Sequence, residues 1–260
     1  MKAVHTLGLA ALTVWLGACG GAPQQAERPV SQQATTSDAI QRAKVHTELG
    51  GLYLSQGNIG VALEEARKAV AAATGYAPAH SLMGLIHMQM RDNGAAEESY
   101  RRALSLAPAD PEINNSYGWF LCQSGREQLA IEHFQAALKS PLYTTPSLAN
   151  ANAGICSLRL KDEKAAEDYF LRALRLDPGN ERATYFLADI AFRQGRLSAA
   201  RQRLVELHKH GEPSAETLWL SVRIERQLGE RDIEARLSAQ LRRRFPEAPE
   251  TQRLMQGRYD

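Results

Sequence analysis

The chain has 260 residues, of which 44% are hydrophobic and 23% are charged, and its formal net charge is +2. This balance is typical of a globular protein, and it excludes the strongly basic surface on which nucleic-acid binding depends. The aromatic fraction of 7% is low for an all-β protein, and alanine, leucine, arginine, glutamate and glutamine dominate. Composition therefore predicts a mostly helical protein without a nucleic-acid partner.

The N-terminus has the features of an export signal. Lys2 precedes an apolar run over residues 7–16, which is too short to span a bilayer as a stable helix. The tetrapeptide Leu-Gly-Ala-Cys then ends at Cys19 and resembles the bacterial lipobox, in which the cysteine becomes lipidated. We therefore expect a lipoprotein signal peptide over residues 1–18 and a lipid on Cys19, the alternative being an ordinary secretory signal with a chance cysteine. Because Gly20 and not aspartate follows, the resemblance implies the outer membrane, with the chain facing the periplasm.

The segment after the cysteine contains mainly Gln, Ala, Pro, Ser and Thr, and almost no bulky apolar residue. Such a segment buries too little surface to offset the entropy lost on ordering. We expect residues 19–38 to form a flexible tether with a span of roughly 25 Å, which holds the folded part near the membrane without fixing its orientation.

The remaining residues, 39–260, repeat themselves at intervals of 34 to 36 residues. A small residue recurs in the first helix of each unit, and it is replaced by valine in the last unit: Gly50, Gly84, Gly118, Gly154, Ala188 and Val222. Alanine follows twelve residues later in the first five units, and an aromatic residue follows that alanine at Tyr100, Phe134 and Phe170. Proline closes three units, at Pro108, Pro178 and Pro246.

This pattern resembles the tetratricopeptide repeat (TPR), in which small residues let two helices cross closely and proline ends the second helix. The resemblance implies an all-α fold, a right-handed superhelical solenoid of about six helix-turn-helix repeats. A capping helix is expected over about residues 249–256. The repeats are expected near residues 43–76, 77–110, 111–146, 147–180, 181–214 and 215–248.

The first helix of each TPR lines the concave face of the solenoid, so apolar residues there are candidates for partner binding. Counting from the recurrent small residue selects eight of them: Leu85, Met88, Trp119, Ile155, Leu158, Tyr185, Phe192 and Trp219. The alternative for each is packing against a neighbouring helix, and we favour binding for Trp119 and Trp219. Basic residues toward the C-terminus, such as Arg193 and Arg223, are expected to be solvated, the alternative being an acidic partner segment or anionic lipid.

Two further cysteines, Cys122 and Cys156, occupy nearly equivalent places in the first helices of repeats 3 and 4. These helices are neighbours in a TPR stack, and an exported protein meets an oxidising periplasm. We predict a Cys122–Cys156 disulfide, the alternative being two buried thiols.

No motif for catalysis or for a cofactor is found. The sequence has no phosphate-binding glycine loop, no zinc-type Cys/His cluster and no nucleophile elbow. His208 and His210 are two residues apart and point to different sides of a helix, so they predict no metal site. We expect a non-enzymatic binding protein without a cofactor.

Repeats 3 and 4 contain the runs Asn-Asn-Ser-Tyr-Gly-Trp-Phe-Leu-Cys, residues 114–122, and Asn-Ala-Asn-Ala-Gly-Ile-Cys, residues 150–156. With the lipobox, the tether and six TPRs, these runs resemble the type IV pilus biogenesis and stability lipoproteins called PilF or PilW. The commoner form lacks the serine found here at Ser116.

The resemblance implies a pilotin-like role, in which the protein helps the outer-membrane secretin reach its membrane and multimerise, or stabilises pili. The partner would be the secretin or another pilus-assembly protein, held in the concave groove. Two alternatives remain open, a TPR lipoprotein of the β-barrel assembly machinery and a scaffold for cell-wall hydrolases.

Overall fold

The computed structural model describes residues 29–30 and 37–259, so the predicted signal peptide and Cys19 lie outside the described residues. The described chain forms thirteen α-helices and no strand, which confirms the all-α solenoid. In this part of the chain, no helix combines the length and the apolar character needed to cross a membrane.

The helices pair into six antiparallel units followed by one short helix. In chain order they are α1 (Asp38–Ser55), α2 (Ile59–Ala72), α3 (Ala77–Gln89), α4 (Asn93–Leu106), α5 (Pro111–Gln123), α6 (Glu127–Leu138), α7 (Pro146–Arg159), α8 (Glu163–Leu176), α9 (Glu181–Arg193), α10 (Leu197–His210), α11 (Ala215–Leu228), α12 (Arg231–Arg244) and α13 (Pro249–Met255). Each odd-numbered helix from α1 to α11 begins a repeat, and we call it the A helix of that repeat. The even-numbered helix that follows is its B helix.

The tight turn within a repeat depends on one residue with left-handed backbone. Glycine occupies it in four repeats, for example Gly125 with a φ of 76°. Arg91 and Lys161 adopt the same conformation in repeats 2 and 4, with φ values of 61° and 62°. A side chain in this region costs on the order of 1 kcal/mol, so the packing of the two helices compensates for the strain at these two turns.

The small residues of the A helices allow the aromatic side chains of the B helices to pack directly on their backbones. A Cβ atom added at Gly154 would lie 2.6 Å from the Phe170 ring, and one added at Gly118 would lie 2.9 Å from the Phe134 ring. Both rings are fully buried. The sequence pattern of glycine and aromatic residue is therefore the packing contact between A and B helices.

The two ends of the solenoid differ. At the C-terminal end α13 lies on α11, and Leu254 joins the buried cluster around Leu218 and Trp219. At the N-terminal end Leu49 and Leu52 of α1 remain 38% and 53% exposed. The corresponding positions of later repeats pack on the preceding repeat, which repeat 1 lacks.

Two residues of the expected tether contact the solenoid. Val30 packs against buried alanines at the junctions of repeats 1, 2 and 3, and its backbone N–H donates a 2.7 Å hydrogen bond to the carboxylate of Asp110. Asp110 is itself buried and caps the N-terminus of α5. Val30 of the predicted tether is therefore attached to the solenoid, and the flexibility of the rest of the tether stays a prediction.

Candidate partner-binding groove

Six of the eight apolar residues expected in the groove are half-buried. Each packs against the core on one side and keeps part of its surface accessible: Leu85, Met88, Trp119, Ile155, Leu158 and Tyr185. They come from four consecutive A helices, α3, α5, α7 and α9. The structure thus brings these residues together along the stacked A helices, although none of them is free of core contacts.

The other two residues are buried, and their expected role in the groove is corrected. Trp219 is only 4% exposed because the Tyr259 ring stacks on it at 5.4 Å, next to the capping helix. Phe192 is 6% exposed because it packs on repeat 6 and lies 4.6 Å beneath the Arg223 guanidinium. Both residues stabilise the C-terminal end of the solenoid.

Trp119 of α5 lies next to polar side chains from the following two A helices. The Arg182 guanidinium of α9 lies 5.9 Å above the indole ring. Arg182 also donates a 3.4 Å hydrogen bond to Asn152 of α7, whose amide donates a 3.1 Å hydrogen bond to Asn115 of α5. We call these four residues the Trp119 patch. Three repeats therefore contribute to one connected set of aromatic, amide and cationic groups.

The two asparagines of the patch are unusual residues for the middle of a helix. Asparagine is an unfavourable helix former because its amide competes with the backbone for hydrogen bonds. Asn115 and Asn152 are nevertheless buried and bonded to each other. Their hydrogen bond links α5 to α7, and the carbonyl of Asn152 also accepts the bond from Arg182.

Polar contacts below the patch hold α5 in place. Asn114 donates two 2.9 Å hydrogen bonds, to the carbonyls of Pro108 and Asp110, so its amide oxygen is oriented as an acceptor. That oxygen lies 2.9 Å from Nδ1 of His133, which must therefore carry the proton. Burial lowers the pKa of His133, and the ring is neutral at neutral pH.

A second contact fixes the end of α5 near Trp119. Arg126 donates two hydrogen bonds to the two carboxylate oxygens of Glu97, at 2.8 and 3.1 Å. The first of these bonds lowers the pKa of Glu97, which stays ionised. Because repeat 2 provides the carboxylate and repeat 3 the guanidinium, this pair fixes the two repeats relative to each other.

A disulfide joins Cys122 of α5 to Cys156 of α7, with Cα atoms 5.8 Å apart. Cys122 comes four residues after Gly118, whereas Cys156 comes two residues after Gly154. The first position faces the next repeat and the second faces the preceding one, so the two sulfurs meet between repeats 3 and 4. Arg159 reinforces this contact by donating a 2.6 Å hydrogen bond to the carbonyl of Cys122.

The combination of a half-buried tryptophan with an exposed arginine suits recognition of a partner. Within the described residues no group of three His, Cys, Asp or Glu side chains is placed to hold a metal ion. Sequence reasoning selected Trp119 but missed Arg182, which lies near the start of α9 and was not selected by the search for apolar residues. The two asparagines were visible as helix-disfavouring residues within the family-like runs.

The comparison with known families identifies the repeats. Two models of the tetratricopeptide repeat match, one over residues 81–144 and the other over residues 157–216. These segments span most of repeats 2 to 5 and include five of the six half-buried groove residues, while Ile155 lies between them.

The comparison with individual proteins identifies the family. The chain is 29% identical to the type IV pilus assembly protein PilF of Pseudomonas aeruginosa over 207 residues, which cover 80% of this chain and 82% of that protein. The solved structure of P. aeruginosa PilF matches with a TM-score of 0.76, 27% identity and coverage of 85% and 100% of the two chains. The crystal structure of PilW, described as a widely conserved type IV pilus biogenesis factor, matches with a TM-score of 0.75 and 31% identity, covering 83% of this chain and 99% of PilW. The chain therefore belongs to the PilF/PilW family of TPR proteins that act in type IV pilus biogenesis.

Proposed function

We propose that the protein is a non-enzymatic, lipid-anchored adaptor of the outer membrane that supports type IV pilus biogenesis as a pilotin-like factor. The lipobox ending at Cys19 supports the anchor, and family membership supports the process. In this proposal the lipid determines the location, facing the periplasm, and the solenoid holds a segment of the outer-membrane secretin. Binding favours correct localisation and multimerisation of the secretin without any covalent step.

The observation that carries the proposal is the Trp119 patch. Tryptophan and arginine are the residues that most often dominate binding energy at protein interfaces, because they combine a large contact area with polar groups. Arg182 uses one long 3.4 Å hydrogen bond, so its guanidinium retains donors for a carboxylate or a carbonyl of the partner. We propose that the patch binds an extended secretin segment with an apolar side chain beside an acidic one.

The direct test compares two tryptophans in different environments. Trp119→Ala should weaken binding of the purified secretin by about 2 kcal/mol or more, the usual size for an interface tryptophan, with a small change in melting temperature. Trp219→Ala should instead lower stability by about 3–5 kcal/mol, because Trp219 is a core residue. Calorimetric titration and thermal melting on both variants separate recognition from folding. Unchanged secretin binding by Trp119→Ala would remove the patch from the proposal.

The cellular test addresses the process. Deletion of the gene should reduce the heat-resistant secretin multimers in outer-membrane fractions, and a plasmid copy with Arg182→Ala should restore them only partly. A copy with Cys19→Ala should fail to restore them if the lipid address is required. Normal multimers and normal pili in the deletion strain would refute the pilotin-like role and favour a scaffold for another envelope complex.

A further inference from the structure

One edge of the solenoid contains the places where a B helix ends and the next A helix begins. At the junction of repeats 2 and 3 this edge is occupied by Val30, which comes from the segment that precedes α1. Val30 packs on the cluster formed by Ala77, Ala103, Ala107 and Ile113, and its N–H bonds to Asp110. A TPR junction of this protein therefore accepts a segment that offers a medium-sized apolar side chain and a backbone N–H donor.

Residues of the chain also close two other junctions. At the junction of repeats 3 and 4 the longer loop places Tyr143 between Ala137 and Ala149, where it is buried. At the junction of repeats 4 and 5 the Asn180 amide donates a 2.9 Å hydrogen bond to Ser147, whose hydroxyl donates a 3.1 Å bond to the carbonyl of Ala173. Each junction is filled by a local side chain.

The junction of repeats 5 and 6 is different, because it contains an open pocket of about 430 Å³. The pocket lies between α9, the end of α10 and the start of α11. Its lining residues occupy, three repeats further along the chain, the positions that surround Val30. The clearest pairs are Ala103 with Leu207, Asp110 with Ser214, and Ile113 with Thr217.

The pocket combines an apolar wall with negative charge. Phe186 and Leu207 form the wall, and the exposed carboxylates of Glu181 and Glu216 lie at the rim. Glu181 extends over Gly211, where an added Cβ atom would lie 2.6 Å from its Oε1. The described part of the chain shows no ion pair to Glu181 or Glu216, so their charges are available to a ligand.

Two further charged groups line the pocket, Glu212 and Arg182. Glu212 pairs with Arg244 at 2.7 Å. Arg182 bonds to Asn152 and lies above the Trp119 ring. Because Asn152 and Trp119 are uncharged, Arg182 offsets only one of the two unpaired carboxylates. The pocket therefore keeps a net negative charge, and a cationic group is the complementary ligand.

From the match with the Val30 site and from this charge, we propose that the pocket between repeats 5 and 6 binds a segment of a partner protein. This segment carries a basic side chain close to an apolar side chain of about valine size. The apolar side chain packs on Leu207 and Phe186, and the basic one lies between Glu181 and Glu216. A partner and not a second copy is the occupant, because the segment of this chain around Val30 is already bound at its own junction. This site shares Arg182 with the Trp119 patch, but it does not depend on the pilotin-like role.

The test uses a fluorescent peptide with the sequence of residues 28–33, Arg-Pro-Val-Ser-Gln-Gln, and the mature chain in detergent. The peptide carries the required basic and apolar pair. Anisotropy should report saturable binding, and amide shifts in NMR spectra should map to α9, α10 and α11. Replacing the arginine of the peptide with glutamate, or its valine with serine, should weaken binding at least about tenfold, the effect of losing roughly 1.4 kcal/mol.

Charge variants of the protein provide the matched control. Glu181→Gln with Glu216→Gln should weaken peptide binding at least about tenfold. Glu127→Gln with Asp232→Asn removes two first-turn carboxylates outside the pocket and should leave the affinity unchanged. Gly211 has an extended backbone that any residue can adopt, so the side chain introduced by Gly211→Leu should fill the pocket and abolish binding. Thermal melting verifies that each variant is folded.

Three outcomes would overturn the proposal. Equal affinity of the pocket variant and the control variant would show that the carboxylates do not bind the peptide. Amide shifts confined to repeats 2 and 3 would show that the peptide only exchanges with Val30. Self-association of the mature chain that Glu181→Gln with Glu216→Gln abolishes, measured by sedimentation, would show that the occupant is a second copy.

Discussion

The disulfide between repeats 3 and 4 leads to a quantitative prediction about stability. Cys122 and Cys156 are separated by 34 residues. Closing a loop of that length in the unfolded chain removes entropy equivalent to about 4 kcal/mol of stability at 25 °C. Reduction should therefore lower the free energy of unfolding by about 3–4 kcal/mol. Both cysteines are fully buried, so the oxidised chain should keep the bond in mild reductant until it unfolds.

The assay is urea denaturation of the mature chain, refolded once in oxidising buffer and once in reductant. With a slope of about 2–3 kcal/mol per molar urea, the midpoint of the reduced chain should fall by about 1–2 M. Far-UV circular dichroism reports the whole solenoid, and tryptophan fluorescence reports repeats 3 and 6, which contain Trp119 and Trp219. A Cys122→Ala/Cys156→Ala variant should be insensitive to reductant. Equal midpoints for the oxidised and reduced wild-type chain would refute the reasoning.

Two further predictions concern packing and pH. Gly154→Ala should destabilise the protein by about 1–3 kcal/mol in urea denaturation, because the new methyl group would meet the buried Phe170 ring. Gly51→Ala is the matched control, because nothing lies within 4 Å of the added Cβ atom. This change should stabilise α1 by up to about 1 kcal/mol. Equal effects of the two changes would contradict the packing argument. Burial lowers the pKa of His133 in the folded chain below its ordinary value of 6.5. The unfolded chain therefore binds more protons than the folded chain near and below pH 6.5, so stability should fall as the pH drops below about 6.5. His133→Gln should flatten the melting temperature measured between pH 7 and pH 5.5, and an unchanged slope would exclude His133 as its cause.

The repeat register was readable from the sequence because it depends on local chemistry. A glycine in an A helix and an aromatic residue in the following B helix are close along the chain, and they must fit each other in repeats 2, 3 and 4. Gly118 with Phe134 and Gly154 with Phe170 are such pairs, and both pack as the pattern predicts. Proline after a B helix, as at Pro108, ends the helix for reasons that need no tertiary contact.

The candidate binding surface was only partly readable, because exposure depends on what lies on the other side of a residue. Both residues are tryptophans in A helices, Trp119 in α5 and Trp219 in α11. Trp119 remains half-buried next to Arg182, whereas the end of the chain returns to α11 and places Tyr259 on Trp219. No local pattern around Trp219 signals this return.

The sequence by itself determined the helical repeat, its period, the small and aromatic residues at the crossings and the family-like runs of repeats 3 and 4. These features depend on interactions within one repeat or between adjacent repeats. Only the tertiary structure decided which residues stay accessible, that Val30 binds the junction next to Asp110, and that the equivalent junction near Ser214 is open. The reason is that these features depend on contacts between residues far apart in the chain, where a single side chain such as Tyr143 decides whether a junction is closed.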